Sequence, residues 1–511
     1  MSRILAALLA AVALGAGRLA AWIAVRTGRL VFRSLRALIR GRSDTHGSAR
    51  WAGIWSIIRA GMVGGDGIVL GRRLGCVLRL NRDGYALVVA KSRSGKGVGL
   101  IIPSILDAPG SVIVTDIKAE NYDITHRDRA RKGPVFRLDM LDPEGSDCFN
   151  PLDTVRTGTL HEPDDALALA NLLIEEDPHG GSHWDNKARE LLQALIIYVC
   201  RRHANQPELR TLSTVKGLTA LGLEALIDAL EDADKLGSPT LAAVVAALRG
   251  ADGSPEARSI VSNADKALML FSRDRPGGIV TRESTFRMDV FKRQVASLYV
   301  MVEEDKLAIY GPFLRIVLGC ALMGQVRDKD VVAEHRTLFV LDEAAAIGRI
   351  PELESGAAYL ACYARLMFVF QDFAQIERTY PKARSIIANA SAIVAFGVKE
   401  LETARNLSEM LGRRTTLSAS AGTAQASSAL LRHQVTEGEA ETGRYLLDPS
   451  EVLRSDDVLI FADGLRFPVR ARKLRYYDLR RYKGRFDTWR GFRAPKPPGL
   501  LTRLLTARLG G

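Results

Sequence analysis

The chain has 511 residues, too many for one ordinary domain, and 47% apolar with 25% charged residues is the make-up of a globular protein, not a disordered or fibrous one. Cys76, Cys148, Cys200, Cys320 and Cys362 stand without a C-x-x-C pair, which argues against a disulfide frame or a zinc site and for a reducing compartment. The formal charge of +13 sits at the ends: residues 1–50 carry +8, residues 466–511 carry +12 and the middle sums to −7, so it does not mark a nucleic-acid groove in the core.

Ile4 to Val25 is apolar except for Gly15, Gly17 and Arg18, long enough to span a bilayer. Arg26, Arg29, Arg33, Arg36, Arg40 and Arg42 follow it, against Arg3 in front, which orients the bulk of the chain toward the cytoplasm. The alternating spacing of three and four places five of these arginines on one helical face, suited to an anionic membrane surface. Residues 1–45 are therefore expected to form a membrane anchor with a basic juxtamembrane helix. A cleaved signal peptide using Ile4–Ala16, or a start that omits an upstream helix, would give the same pattern.

His46-Gly-Ser-Ala-Arg-Trp-Ala52 leads into a glycine-rich hairpin signal from Gly61 to Gly75. Ala86 to Leu100 then reads as an apolar strand, a Gly-Lys turn and an apolar helix, the plan of a phosphate cradle. The amides of Ser94, Gly95, Lys96, Gly97 and Val98 would face phosphates, with Lys96 reaching the β/γ oxygens. Two positions depart from G-x-x-x-x-G-K-[ST]: Ala90 stands for Gly, and Gly97 for the hydroxyl on Mg²⁺. The competing reading is an ordinary glycine-bearing turn.

Ser111 to Glu120 and Pro134 to Asp139 read as further strands, with Phe149-Asn-Pro-Leu-Asp153 as a turn and Pro103 limiting the helix between. From about Ser182 to Asp274 the pattern is helical throughout, with Ser213 and Ser238 as candidate N-caps. His179 and His183 have i,i+4 spacing, but Gly180-Gly181 spoils the helix a metal pair would need. Strands return at Ser297–Val302, followed by an apolar helix from Pro312 to Gln325. Thr337-Leu-Phe-Val-Leu-Asp-Glu343 is a buried strand ending in two acids, where Asp342 would hold Mg²⁺ and Glu343 would polarise the attacking water. Leu366–Phe370 ends in Gln371, which reads as a capped strand end or, beside the Asp-Glu strand, as a sensor of a γ-phosphate, and Ala392–Phe396 is another strand. Residues 415–443, rich in Ser, Thr, Ala, Gly and Glu, are expected to be a mobile loop. Strands Asp457–Phe461 and Phe467–Arg472 precede a basic, tyrosine-bearing tail, which is read as a solvated or lipid-facing tail or as a holder of single-stranded nucleic acid.

With these motifs in order, the chain resembles the coupling proteins of type IV secretion and conjugation, the TraG family. The resemblance rests on His46–Ala52, Arg93-Ser-Gly-Lys-Gly-Val-Gly99, Asp116-Ile-Lys-Ala-Glu120, Phe149–Asp153, Phe339-Val-Leu-Asp-Glu343, Gln371-Asp-Phe-Ala-Gln375 and Leu447-Asp-Pro-Ser-Glu-Val452. It implies an α/β fold: a RecA-like P-loop NTPase core with an all-helical inserted domain and an N-terminal membrane helix. The expected parts are the anchor at 1–45, a nucleotide-binding domain at 46–181 and 275–485, an all-α domain at 182–274 and a basic tail at 486–511. It further implies a homo-hexameric ATPase at the bacterial inner membrane that uses ATP and Mg²⁺, receives single-stranded DNA with its bound relaxase or effector proteins, and delivers them to the secretion channel components. Arg365 is the choice for an arginine finger supplied in trans. The family usually has two membrane helices, and one is found here. The rival readings are a non-hydrolysing docking receptor, motivated by Ala90 and Gly97, and a DNA translocase of the FtsK/HerA kind.

Overall fold

The computed structural model describes residues 44–174, 183–251, 253–327, 329–423 and 435–489. The expected membrane helix, the basic helix behind it, His179 and most of the basic tail lie outside these residues. The described residues form two compact units, residues 51–404 with 451–489 and residues 44–50 with 405–450.

The larger unit is built on a nine-stranded sheet. In chain order, a separate two-stranded hairpin, β1 (Ile68–Arg73) and β2 (Cys76–Leu80), precedes the sheet strands β3 (Tyr85–Ala90), β4 (Val112–Asp116), β5 (Val135–Asp139), β6 (Ser297–Met301), β7 (Thr337–Leu341), β8 (Ala364–Phe370) and β9 (Ala392–Phe396). The sheet is completed by β12 (Val458–Ala462) and β13 (Val469–Ala471), β10 and β11 belonging to the smaller unit. Its strand order is β13-β12-β9-β3-β8-β7-β4-β6-β5, parallel from β9 to β5 and antiparallel at β12 and β13. Strands β3, β4, β6, β7 and β9 are buried at every position. A strand covered on both faces needs an unbroken apolar run, which is how these segments read in the sequence.

Register decides which residues share an edge. Val89 pairs with Phe370, Ala90 with Phe396, Leu341 with Phe368 and Val114 with Val340. The residues that follow β3, β7 and β8, together with the last residue of β4, therefore emerge at one carboxyl edge, where ligands bind in open parallel sheets.

Helix α1 (Gly97–Asp107) starts with a π turn over Gly97–Ile101. It continues through Pro103, which stands in the first turn of its α-helical part, where a missing N–H costs little. That corrects the expectation that Pro103 limits the helix. Helix α2 (Glu120–Ala130) follows β4. Between β5 and β6 every described regular element is helical, including α3 (Glu162–Leu173) and α4 (His183–Arg202), so helical order begins before the expected residue 182. In α4 the buried set Ala188, Leu191, Leu192, Leu195, Ile196 and Val199 follows the helical period. The cap of helix Leu212–Thr219 is Thr211, not Ser213, whose hydroxyl instead donates to the Phe271 carbonyl at 2.6 Å. Ser238 does cap its helix, accepting from the Leu241 amide.

Helix α5 (Leu307–Val326) begins earlier than the expected Pro312 and carries that proline internally. Among the described residues, the segment Glu304–Val326 is the one helix long and apolar enough to cross a membrane. Its apolar surface is already used inside the fold: Phe313, Leu314, Ile316, Val317 and Leu318 are at most 1% exposed. Gly319 lets Leu172 of α3 approach so closely that a Cβ there would lie 2.3 Å from Leu172 Cδ1.

In the smaller unit, β10 (Arg413–Thr423) and β11 (Val435–Tyr445) pair antiparallel from Arg413 with Tyr445 to Thr423 with Val435. The flanks of the expected 415–443 loop are thus an extended hairpin. Residues 424–434 lie outside the description.

Candidate nucleotide site

Strand β3 ends at Ala90, a fully buried strand residue paired with Phe396, so the glycine departure falls inside the strand and outside the turn. The turn follows at once. Arg93 and Gly95 have φ of 61° and 93°, and the Ser94 amide and hydroxyl both donate to the Lys91 carbonyl, at 3.2 and 2.6 Å. The Gly99 amide then reaches the Gly95 carbonyl at 2.8 Å, so Lys96 is delivered at the N-terminal end of α1. Gly397, with φ of 61°, lets the end of β9 close on this turn. A Cβ there would stand 2.8 Å from Ser94 Cβ.

Lys96 meets the two acids that follow β7. Its ammonium lies 2.9 Å from Asp342 Oδ1 and also pairs with Glu343 Oε1. Gln371, at the tip of the intervening strand β8, donates from Nε2 to Glu343 Oε2 at 2.9 Å. Lys96, Asp342, Glu343 and Gln371 thus form one connected group, assembled from residues 247 positions apart in the case of Lys96 and Glu343. Glu343 is held at φ of 53°, a left-handed conformation that non-glycine residues adopt at a cost and that clusters at functional sites. The Glu343 amide donates to Asp342 Oδ1 at 3.1 Å, and Thr115 Oγ1 donates to the Asp342 carbonyl at 3.1 Å.

The electrostatics follow from crowding of carboxylates. Burial pushes Asp116 up to about 7, against the Tyr122 and Asn121 hydrogen bonds, and nearby Asp342 adds to the rise. Burial also raises Asp342, opposed by Lys96. Lys96 would be lowered by its own burial, but Asp342 and Glu343 more than offset this and hold it above the usual lysine range. Glu120 is raised by burial and by Asp342. Four carboxylates, Asp116, Glu120, Asp342 and Glu343, thus gather around Lys96, and Lys118, paired with Glu304 at 3.2 Å, also acts on Glu120.

The residues fit a magnesium nucleotide. No group of three or more metal-ligating side chains occurs among the described residues. Magnesium takes one or two protein carboxylates and completes its shell with phosphates and water, which is what Asp342 at this edge offers.

Not every expected residue joins the group. Ser94, Gly95, Gly97 and Val98 form the turn and the helix start, whereas Arg365 stands near the amino end of β8. Its guanidinium donates to the Asp66 carbonyl at 2.9 Å and to Asp66 Oδ1 at 3.3 Å, at the edge opposite Lys96. His183 pairs with Glu256 at 2.9 Å on an exposed surface. Residue type alone assigns no role to Thr115, Asp116, Glu120 or Gly397, nor to Gln375, whose Oε1 accepts from the Gln371 amide at 2.9 Å. Asp116 and Glu120 bound one of the quoted motifs, a signal available there. The contact of Gly397 with the turn has no sequence signal, because it depends on β9 lying beside β3.

The family model described as Type IV secretory system Conjugative DNA transfer matches residues 56–494. A Conjugal transfer protein TraG of Escherichia coli is 29% identical over 408 residues, covering 76% of this chain and 64% of the relative. Protein VirD4 of Agrobacterium fabrum is 27% identical over 499 residues, covering 94% and 73%. The chain thus spans about two thirds to three quarters of the length of these relatives. Plasmid coupling protein TrwB in complex with the non-hydrolysable ATP analogue ADPNP superimposes with a TM-score of 0.62 at 14% identity, covering 84% of this chain and 93% of that one. TrwB in complex with ADP and Mg²⁺ gives 0.61 at 14% identity, covering 84% and 94%. These similarities to TrwB establish a common fold.

Proposed function

This chain belongs to the Type IV secretory system Conjugative DNA transfer family, and from that premise we propose that it is a coupling ATPase. In this reading it recruits relaxase-bound single-stranded DNA or effector proteins and drives them into a type IV secretion channel. The observation that carries the reading is the bridge from Lys96 to both Asp342 and Glu343, with Gln371 on the free oxygen of Glu343. That the relatives of like fold were solved with ADPNP and with ADP and Mg²⁺ supports a nucleotide at this edge.

In the proposed reaction Lys96 leaves the two carboxylates and turns to the β/γ-phosphate oxygens, while the amides of Ser94 to Val98 receive the phosphates. Asp342 holds the metal, which when bound supplies positive charge to the phosphate oxygens. Glu343 orients and polarises the attacking water, and Gln371, tied to Glu343, registers the γ-phosphate. An arginine from a neighbouring subunit completes the site. Arg365 could serve only by giving up Asp66. The assignment of residues 1–45 as an inner-membrane anchor, of 182–274 as the substrate-facing all-α domain, and of a homo-hexamer belongs to the same proposal.

Steady-state ATPase of the full chain in detergent, with and without single-stranded DNA, tests it. Turnover should rise with DNA, and Glu343→Gln should lose at least about 100-fold while still binding ATP. Lys96→Ala should lose ATP binding itself. Binding and assembly without turnover above the variants would overturn the ATPase reading. That outcome would favour a docking receptor, for which the missing hydroxyl at Gly97 is the specific observation.

A further inference from the structure

In a P-loop the residue after the lysine gives its hydroxyl to magnesium. Gly97 cannot. The space its side chain would fill is open, and the nearest atom to a Cβ built there is Glu120 Oε1 at 3.9 Å. A serine or threonine oxygen extends about one bond beyond that Cβ, so the Glu120 carboxylate borders the volume the missing hydroxyl would occupy. Glu120 comes from a different element, the first turn of α2 behind β4. Ala119 before it sits at φ of 55°, a left-handed turn that redirects the chain between the tip of β4 and α2.

Two further observations single Glu120 out. Its carboxylate is half-buried, yet none of the described residues donates a hydrogen bond to it or forms an ion pair with it, whereas Asp342 and Glu343 share Lys96 and Asp116 accepts from Tyr122 and Asn121. It also lies near enough to Asp342 for the two charges to oppose each other. A half-buried carboxylate near a second one is costly, and Lys118, which pairs with Glu304 at 3.2 Å, offsets only part of that cost, so a cation joining the two carboxylates would be stabilising. A favourable place at a helix N-terminus accounts for a glutamate at this position but not for its facing Gly97 and Asp342.

We propose that Glu120 takes over the metal-facing role that Gly97 has lost, its carboxylate supplying with Asp342 the protein oxygens toward the magnesium of the bound nucleotide, directly or through a metal-bound water. The assignment rests on the nucleotide-site reading above. It explains how a Lys-Gly turn can serve a magnesium nucleotide.

The test uses the full chain in detergent with ADP, and reads Mn²⁺ binding to the ADP complex by electron paramagnetic resonance, alongside ADP binding in EDTA. Glu120→Gln should weaken Mn²⁺ about 10- to 100-fold while ADP binding in EDTA stays within about twofold. Glu120→Gln combined with Gly97→Ser should recover most of the Mn²⁺ affinity, because residue 97 has room for the side chain. A purely structural role at the helix start would alter melting temperature without this recovery. Unchanged Mn²⁺ affinity in Glu120→Gln would overturn the proposal and leave the nucleotide site standing. Failure of the unmodified chain to bind ADP in either condition would overturn the nucleotide reading itself. A double variant that binds ADP in EDTA but not Mn²⁺ would also overturn the substitution of carboxylate for hydroxyl.

Discussion

A carboxylate 1% exposed beside a second one resists ionisation, and Asp116 shows the consequence. Its pKa near 7 lies above the ordinary aspartate value near 4, so between those pH values the folded chain keeps a proton that the unfolded chain has lost. Its stabilising contribution is complete below about pH 4 and is lost as pH rises through about 7. Asp116→Asn should therefore raise the melting temperature relative to the unmodified chain more at pH 8 than at pH 5. A pH-independent difference between the two proteins would rule this out. At this scale the sequence was readable wherever a motif fixes a residue's chemistry: Lys96, Asp342, Glu343 and Gln371 were named from residue type and strand end, and the fold brings them into contact. Arg365, six residues before Gln371 along the same strand, stands at the opposite edge of the sheet, so a role at a nucleotide would have to be in a neighbouring subunit.

The elements are held by contacts that the sequence pattern does not announce. Arg129 is fully buried at the end of α2, donating to the Ala108 carbonyl at 2.7 Å, the Gly110 carbonyl at 2.6 Å and Ser297 Oγ at 2.9 Å. It ties α2 to the entrances of β4 and β6, and so helps hold Glu120 and Asp116 where they are. Arg129→Met leaves the Gly110 carbonyl without a donor, while Lys132 still reaches that of Ala108 at 2.8 Å, and should destabilise the fold by about 2 kcal/mol, read as a lower urea midpoint. Arg129→Lys, whose single ammonium cannot reproduce the guanidinium fork, should recover only part of that loss. The buried strands were legible because covering both faces demands apolar runs. The hairpin of β10 and β11 was not, because its Ser, Thr, Ala, Gly and Glu residues lack the apolar alternation that marks a strand, and its order is carried by the backbone ladder. Ser213 misled for a related reason: a serine before an apolar run looks like a cap, and only the packing of Phe271 shows where its hydroxyl goes.

For the whole molecule, the proposed arginine supplied in trans would make activity depend on assembly. Turnover per chain should rise with protein concentration in step with sedimentation of the assembled form, and constant turnover across that transition would count against a shared site. Stimulation by single-stranded DNA should fall steeply with salt, since the proposed ring following a strand would contact many phosphates. What the sequence determined by itself was the inventory and its order: buried strands, the Gly-Lys turn, the paired acids and the glutamine, each set by local chemistry that needs no neighbour. Adjacency came from packing alone. Strand β8 lies between β3 and β7, so Gln371 reaches Glu343, and the start of α2 lies beside the start of α1, with Glu120 Oε1 3.9 Å from where a Cβ of Gly97 would stand. Those distances come from register and packing between segments far apart in the chain, and periodicity within one segment carries no information about them.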